Sequence, residues 1–237
     1  PRLSALATGI LIQQETGQPV VLHVCARDRN YIGLQGDLLG CAALGLNNLL
    51  FITGDPPKLG NYTFATGVFD TDSVGLVRLQ NSLNHGIDLA QQRIATPTRA
   101  VIGVGADPNA LDFEREIKHL RNKAAAGADY VATQPIFDPA AFLRFADAIA
   151  DLNLPIIAGV WPLASLRNAL FMKNEVPGVV VPDSIIERMQ AAGTQEEQLA
   201  TGIAIAREML DAIRHRCAGV QVSAPLGNLD AALKTIL

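Results

Sequence analysis

Long apolar runs, basic charge and paired cysteines are all scarce in this chain of 237 residues. No uninterrupted stretch reaches the roughly 18 apolar residues that a membrane-spanning helix needs, and the N-terminus PRLSALATG lacks the basic-then-apolar layout of a signal peptide. Lys and Arg total 19 against 23 Asp and Glu, so the formal charge of -4 argues against a nucleic-acid surface, which needs clustered cations. We therefore expect no membrane, no secretion and no nucleic acid.

The three cysteines, Cys25, Cys41 and Cys217, are odd in number, widely spaced and set among apolar residues. We interpret them as reduced thiols in the core, which favours the cytoplasm. The four histidines show no ligand-like spacing, so we predict no metal site. The absence of a G-x-S-x-G elbow, a P-loop and a C-x-x-C pair gives hydrolases and zinc ribbons little support.

What the sequence does contain is a repeated order of short aliphatic runs and longer helical patterns. The runs predict six strands, whose nearly continuous hydrophobicity implies burial on both faces: 19–25, 48–54, 99–105, 129–135, 155–161 and 219–225. Between the strands, stretches such as 32–46 and 109–128 place apolar residues three and four apart and end near glycine, as crossover helices do. With 49% hydrophobic residues and no linker, we expect a single domain over residues 1–237.

An open doubly wound sheet and a closed barrel both fit this order, and periodicity alone cannot choose between them. Polar residues help, because four of them lie at or just beyond the C-terminal ends of different predicted strands: His23, Asp55, Asp107 and Gln134. Active sites of (βα)8 barrels are built around a ring of such ends, whereas an open sheet binds ligands near one switch point. These positions favour an α/β barrel of the TIM type over an open sheet.

Asp55 follows the second predicted strand in the stretch GDPP, and two interpretations of it compete. In the first, GDPP is only a turn, in which the carboxylate accepts nearby N–H groups and the prolines stiffen the chain. In the second, the carboxylate is partly desolvated at the mouth of a buried strand and stabilises a developing cation.

Other polar residues also allow both a structural and a functional interpretation. Gln134 either caps a loop or reads the mixed edge of a flat heterocycle, and His23 lies within an apolar strand, where a satisfied core histidine is the commoner outcome. Glu116, His119 and Lys123 fall at i, i+3 and i+7, which forms a polar stripe typical of a solvated helix face. The stretch GVGADP lacks the third glycine of the dinucleotide fingerprint and is weak support for a Rossmann site.

Several blocks of the sequence, taken in order, resemble the methylenetetrahydrofolate reductases, a family of flavin-containing (βα)8 barrels. The blocks are LHVCARDRN, GLQGDLLGCAALGLNNLLFITGDPP, YTFATGVFDTDSVGLVRL, LRNKAAAGADYVATQPIFD and PIIAGVWPL, and they fall between residues 19 and 180. The stretch ATGVFDTDS is most similar to the branch in which this reductase follows a homocysteine methyltransferase domain in one polypeptide.

The resemblance implies a reaction and a cofactor. A flavin, usually FAD, would lie across the C-terminal mouth of the barrel and pass a hydride to 5,10-methylenetetrahydrofolate, which gives 5-methyltetrahydrofolate. The electron donor would be NADH, NADPH or a protein carrier. Asp55 would lie close to the flavin and the pterin, where its negative charge would favour the iminium form of the substrate.

The resemblance also implies three groups of binding residues. Those around the flavin ring and the adenosine are His23, Ile52, Thr53, Gly54, Asp55, Ala65 and Asp107. Those along the ribityl and diphosphate portion are Glu116, His119, Asn122 and Lys123. Those on the folate are Gln134, which would hydrogen-bond the pterin, and Leu166, which would pack on it.

Three departures from the family pattern accompany this resemblance. The family begins with a strand that carries a general-acid glutamate and with a second strand that borders the flavin, and neither precedes PRLSALATG, which leaves six of eight strands. Near the last strand, Ala224 and Asn228 stand where the family has an aromatic residue and a folate-gripping Arg. Asn122 replaces an Arg on the helix that would hold the diphosphate.

An incomplete barrel exposes sheet edges and apolar surface, so we expect the chain to aggregate, to recruit a partner or to belong to a longer product, and we favour a truncated fragment. The partners considered are a second copy in a homo-oligomer and a fused methyltransferase domain. One alternative function is a noncatalytic, reductase-like flavin-binding module that lacks the general acid. A more distant alternative is an unrelated barrel whose GVGADP loop holds a sugar phosphate.

Overall fold

A computed structural model describes residues 3–176 and 178–237 of the chain. Strands and helices alternate along these residues. In chain order they are α1 (Ala5–Thr16), β1 (Val21–Cys25), α2 (Tyr31–Ala43), β2 (Asn48–Ile52), α3 (Ser73–Asn84), β3 (Val101–Ala106), α4 (Phe113–Ala126), β4 (Tyr130–Pro135), α5 (Pro139–Ala148), β5 (Ile156–Val160), α6 (Leu166–Glu175), α7 (Asp183–Ala191), α8 (Gln195–Ile213), β6 (Gly219–Val222) and α9 (Leu229–Ile236).

All six strands predicted from the sequence are present, and they form a sheet in the order β1-β2-β3-β4-β5-β6. Pairing is parallel between β1 and β2, β2 and β3, β4 and β5, and β5 and β6. A doubly wound sheet reverses its strand order at a switch point, whereas this order runs sequentially without reversal. The α/β fold class is confirmed, and the strand order is consistent with an incomplete (βα)8 barrel.

The chain folds as two compact units, each of which packs mainly within itself. The first unit comprises the residues up to Gly105 together with His119–Tyr130, and the second comprises Ala106–Lys118 together with Val131–Leu237. The expectation of a single domain over residues 1–237 stays a prediction.

In the first unit, the core forms where the helices cover one face of the strands. Leu49 and Phe51 of β2 are fully buried, as are Leu34 and Leu38 of α2. Side-chain caps begin the helices, since Asn30 accepts a hydrogen bond from the N–H of Gly33 and Asp72 accepts one from the N–H of Gly75. These caps fix where the chain turns from each strand end into the following helix.

The expected burial of every strand on both faces is wrong for β1. Leu22 is buried on the side facing α1, where a Cβ atom added to Gly9 would lie 3.3 Å from Leu22 Cδ1. Val21 is 49% exposed and His23 is also exposed, and both alternate with Leu22 along the strand. Hydrophobic composition therefore predicted the strand correctly but not how many of its faces are covered.

In the second unit, the core is built largely by the connection between β5 and β6. This connection contains α6, α7 and α8, and it is the longest, as predicted. A capping box begins α8, because Thr194 and Glu197 each accept a hydrogen bond from the backbone N–H of the other. The buried cluster consists of Phe137, Leu163, Ala169, Met172, Val179, Val181, Ile185, Met189 and Ile205.

Only one of the three cysteines lies in the core. Cys41 is buried, and desolvation raises the pKa of its thiol to about 11. Cys25 and Cys217 are half-buried, so the prediction of core thiols is wrong for these two, although all three are free thiols. Among the described helices, none combines the length and apolarity needed to cross a membrane.

Candidate active site

Gly54 is the point at which the chain leaves β2, and two features require glycine there. Its φ of +89° lies in a region that L side chains rarely adopt. A Cβ atom at this position would also lie 2.2 Å from Cys25 Sγ and 3.1 Å from Arg27 Cβ. The turn after β2 is therefore packed directly against the end of β1, and Cys25 reinforces it with a hydrogen bond of 3.4 Å from its thiol to the carbonyl of Thr53.

Asp55 follows this turn and is exposed. Its main-chain carbonyl accepts a hydrogen bond of 3.0 Å from Arg27 Nη1, while no described residue donates a hydrogen bond to its carboxylate or pairs with it. The predicted turn is therefore present at Gly54, but the hydrogen bonds expected from nearby N–H groups to the carboxylate are not found among the described residues. The expectation that the carboxylate is partly desolvated is wrong for the protein alone, because Asp55 is exposed. What the fold provides is an unneutralised carboxylate at the C-terminal end of a buried strand, followed by Pro56 and Pro57.

A hydrogen-bonded chain links the end of β2 to α4 within the first unit. Thr53 Oγ1 accepts a bond of 3.1 Å from the N–H of Ser73, the first residue of α3. The hydroxyl of Ser73 lies 3.3 Å from His119 Nε2, and Ser73 is buried. His119 thus faces the protein rather than the solvent. Sequence reasoning missed Ser73, although its place directly after the capping Asp72 in TDS was a signal.

Lys123 is buried, with 5% of its surface exposed. Its ammonium donates a hydrogen bond of 2.7 Å to the carbonyl of Gly105, near the C-terminal end of β3. A buried charge needs such partners because leaving water is costly for an ammonium group. The solvated-face interpretation of the polar stripe is therefore wrong for His119 and Lys123.

The other predicted flavin contacts of the first unit differ in exposure. Ile52 and Thr53 are half-buried, whereas Ala65 and Asn122 are exposed. Asn122 precedes Lys123 by one residue, so the two side chains leave the helix in directions about 100° apart. The stripe that turns inward therefore contains Lys123 but not Asn122.

His23 lies on β1 opposite Leu50 of β2. It is exposed, so the alternative of a core histidine is wrong. Neighbouring protein atoms nevertheless lower its pKa from the usual value by desolvation, which favours a neutral imidazole. His23 is the third of the five residues of β1, so the prediction that it lies at the C-terminal end of its strand is wrong. A neutral ring suits contact with a flat, uncharged aromatic group, and the predicted contact of His23 with a flavin stays a prediction.

Asp107 and Glu116 form a carboxylate cluster in the second unit. Glu116 accepts a hydrogen bond of 3.0 Å from the N–H of Asp107, and Asp107 Oδ1 accepts one of 2.8 Å from the N–H of Asn109. Burial is the main reason that the pKa of Asp107 is raised, and the nearby charge of Glu116 raises it further. A Cβ atom at Gly178 would lie 2.6 Å from Asp107 Oδ2, so that glycine lets the chain pass close to the carboxylate.

Gln134 lies on an irregularity near the end of β4. The pairing with β5 shifts register between Ala132 and Pro135, and Gln134 is exposed. Thr133 Oγ1 supports the shift with two hydrogen bonds of 2.9 Å. It donates one to the carbonyl of Gln134 and accepts the other from the N–H of Gly159. Bulges re-aim side chains beside functional sites, and the exposed side chain of Gln134 lies at such an irregularity. Sequence reasoning missed Thr133, because a register shift has no local signature in TQP.

Leu166 is the first residue of α6 and is half-buried. Its N–H donates a hydrogen bond of 2.9 Å to Gln198 Oε1, and its side chain packs on the core of the second unit. Trp161 Nε1 donates a hydrogen bond of 3.3 Å to Oδ1 of Asn168, which lies on the same helix as Leu166. Leu166 therefore has a packing role that does not depend on a ligand.

The predicted residues fall into two sets according to unit. The first unit brings together the ends of β1 and β2 with His119 and Lys123 of α4, whereas the second holds Asp107, Glu116, Gln134 and Leu166. Over residues 3–176 and 178–237, no group of three or more His, Cys, Asp or Glu side chains is arranged to hold a metal ion.

A protein-family model described as methylenetetrahydrofolate reductase matches residues 4–223. Curated relatives include methylenetetrahydrofolate reductase 2 of Schizosaccharomyces pombe, which is 26% identical over 206 residues that cover 80% of this chain and 30% of the relative. A probable methylenetetrahydrofolate reductase (NADH) of Oryza sativa subsp. japonica is 28% identical over 174 residues, which cover 70% of this chain and 28% of that relative. This chain thus spans less than a third of the length of these relatives. Among solved structures, the tryptophan synthase alpha subunit of Legionella pneumophila is 13% identical, with a TM-score of 0.39 over 99% of this chain and 95% of that one.

Proposed function

Because the chain belongs to the methylenetetrahydrofolate reductase family, we propose that this protein binds FAD and reduces 5,10-methylenetetrahydrofolate to 5-methyltetrahydrofolate. The proposed electron donor is NADH, NADPH or a protein carrier. The observation that carries the proposal is the unneutralised carboxylate of Asp55, held just after β2 by the obligatory turn at Gly54.

The proposed role of Asp55 follows from its charge. The methylene group of the substrate becomes an acceptor for hydride when the folate ring opens to an iminium cation. A nearby carboxylate stabilises that cation relative to the neutral ring-closed form, and it does so more strongly once bound ligands exclude water. The same carboxylate would do little if it were engaged in an ion pair, and no described residue pairs with it.

Three features of the first unit fit a bound flavin. Gly54 presents backbone without a side chain, so a flat ring can approach the strand end closely. A Cβ atom added to Gly105 would meet nothing within 4 Å, which leaves open space beside the end of β3. Lys123 places an ammonium group at the carbonyl of Gly105, and a cation there suits a diphosphate.

Once bound and reduced by the electron donor, FAD would supply the hydride, and the protein would supply orientation and charge. His119 is oriented by the Ser73 hydroxyl, and Ser73 is in turn tied to Thr53, so the residues proposed to hold the ribityl portion and the ring are connected. We assign Asp107 and Glu116 to the adenosine and ribityl portions, Asn122 and Ala65 to the cofactor, and Gln134 and Leu166 to the folate. These assignments rest on the motif positions.

The test compares the wild-type protein with Asp55→Asn, which keeps the size of the side chain and removes its charge. FAD binding is measured by fluorescence titration, and the reoxidation of reduced flavin by methylenetetrahydrofolate is followed anaerobically by absorbance. We expect the variant to bind FAD normally and to reoxidise about 10- to 100-fold more slowly, which corresponds to the roughly 1.5–3 kcal/mol of one contact to a charged group.

Glu15→Gln is the matched control, because Glu15 is an exposed carboxylate on α1 of the same unit. It should leave both FAD binding and reoxidation unchanged. If the wild-type protein binds FAD but reduced flavin does not react with the folate, the noncatalytic flavin-binding alternative replaces the reductase. If the protein does not bind FAD, both functions are wrong.

A further inference from the structure

Arg27 contacts both ends of the loop that carries Asp55. Its Nη1 donates a hydrogen bond of 3.0 Å to the main-chain carbonyl of Asp55, where the loop begins. Its own main-chain carbonyl accepts a hydrogen bond of 2.8 Å from the N–H of Val68, where the loop ends. One residue therefore closes the base of a segment of 14 residues, 55–68.

Asp28 determines how Arg27 is oriented. Its carboxylate accepts two hydrogen bonds from the guanidinium group, 2.5 Å from Nε and 2.8 Å from Nη2. This bidentate pairing leaves Nη1 to reach the carbonyl of Asp55. Asp28 thus forms the ion pair with Arg27, and Arg27 reaches Asp55 through the main-chain carbonyl rather than through an ion pair with its carboxylate.

The rest of the loop has few anchors. Leu59 and Phe64 are 74% and 84% exposed, and Tyr62 packs only edge-on against Phe64, with ring centroids 6.1 Å apart. Short backbone turns connect Pro56 to Leu59 and Tyr62 to Ala65. Because the tip contributes little burial, the direction of the Asp55 side chain depends on the base of the loop.

We propose that Arg27 is a positioning residue that fixes the Asp55 carboxylate by closing the base of loop 55–68. The catalytic part of this inference rests on the proposed reductase function. The inference adds a residue to the site that acts through the backbone of Asp55 and touches neither cofactor nor substrate.

The experiment compares Arg27→Met and Arg27→Lys with Arg29→Met in the full chain. Methionine keeps much of the apolar stem but no donor, and lysine keeps the charge but not the fork that serves Asp28 and Asp55 together. Arg29 is the matched control, because it lies two residues away and also pairs with a carboxylate, Asp37, at 2.5 Å.

The first readout is hydrogen exchange of the Leu59 and Val68 amides, which needs neither cofactor nor activity. Both Arg27 variants should exchange about tenfold faster there, which corresponds to about 1.4 kcal/mol of lost local protection, and Arg29→Met should match the wild type. Equal exchange in Arg27→Met and the wild type, or an equal rise in Arg29→Met, would overturn the inference.

The second readout is the reoxidation of reduced flavin by methylenetetrahydrofolate. Both Arg27 variants should lose about tenfold in rate, with FAD affinity and the KM for folate changed less than twofold. Faster exchange with a wild-type reoxidation rate would overturn the positioning role. If the wild-type protein has no reductase activity, the proposed function fails, and the exchange measurement alone decides whether Arg27 closes the loop.

Discussion

Replacing Gly54 by alanine should destabilise the protein through two separable effects. The φ of +89° costs an alanine about 1–2 kcal/mol of backbone strain. The new methyl group would lie 2.2 Å from Cys25 Sγ, where ordinary contacts begin at 3.4 Å, and relieving such an overlap costs about 1–3 kcal/mol. We therefore expect Gly54→Ala to lower the free energy of unfolding by about 2–5 kcal/mol.

A double-mutant cycle with Cys25→Ala separates the two effects. Removing the sulfur atom eliminates the closest contact and leaves the strain together with the 3.1 Å approach to Arg27 Cβ. In the Cys25→Ala background, Gly54→Ala should therefore cost about 1–2 kcal/mol, which gives a coupling of about 1–3 kcal/mol between the two sites. The assay is urea unfolding of the protein without added flavin, because a ligand would add its own stabilisation.

Gly17→Ala is the control for strain alone. Gly17 has a φ of +67°, and a Cβ atom there would meet nothing within 4 Å. Its substitution should cost about 1–2 kcal/mol, the same amount in the wild-type and the Cys25→Ala backgrounds. If Gly54→Ala costs the same with and without the cysteine sulfur, the contact between the ends of β1 and β2 does not constrain the turn, and the account of Gly54 is refuted.

Two further predictions concern Lys123 and Asp107. Lys123→Met should weaken FAD binding about 10- to 100-fold in a fluorescence titration, because a charge-assisted contact is lost. Lys118→Met, at an exposed position on the same helix, should leave FAD binding unchanged. Equal FAD affinities of Lys123→Met and the wild type would show that Lys123 does not belong to the cofactor site. Burial raises the pKa of Asp107 above 3.8, so the folded protein holds this proton more tightly than the unfolded chain. The stability that protonated Asp107 contributes is present below pH 3.8 and is lost as the pH rises through the raised pKa. In Asp107→Asn, the free energy of unfolding in urea should therefore fall less with rising pH than in the wild type. The same pH profile in the two proteins would contradict this prediction.

Local pattern was sufficient to predict most of the secondary structure. The six strands lie within one or two residues of the predicted starts, because β-branched and aliphatic runs bounded by glycine and proline have few alternatives. The ends were less accurate: β2 and β6 stop two and three residues earlier than predicted, at Ile52 and Val222. The same residues carry the ordered blocks that resembled a reductase family, and that resemblance is confirmed. The fused branch and the absent strands stay predictions.

The solvation of the polar residues could not be predicted in the same way. Spacing placed His119 and Lys123 on one stripe of a helix, but a periodic pattern does not say what that stripe packs against. Polar composition favoured solvent, whereas the hydroxyl of Ser73 and the carbonyl of Gly105 satisfy these side chains inside the protein. The partners lie 46 and 18 residues away in sequence, so only the chain path could supply them.

The sequence by itself determined the order of strands and helices, the strand ends at which polar residues gather, and the family to which these motifs belong. The tertiary structure alone decided that no described residue pairs with the Asp55 carboxylate, that Arg27 hydrogen-bonds to both ends of loop 55–68, and that Gly54 must lack a side chain beside Cys25. The physical reason is the separation in sequence over which each kind of interaction acts. Propensity and periodicity act over a few neighbouring residues, whereas burial, charge compensation and steric contact depend on residues that meet only when parallel strands align in register.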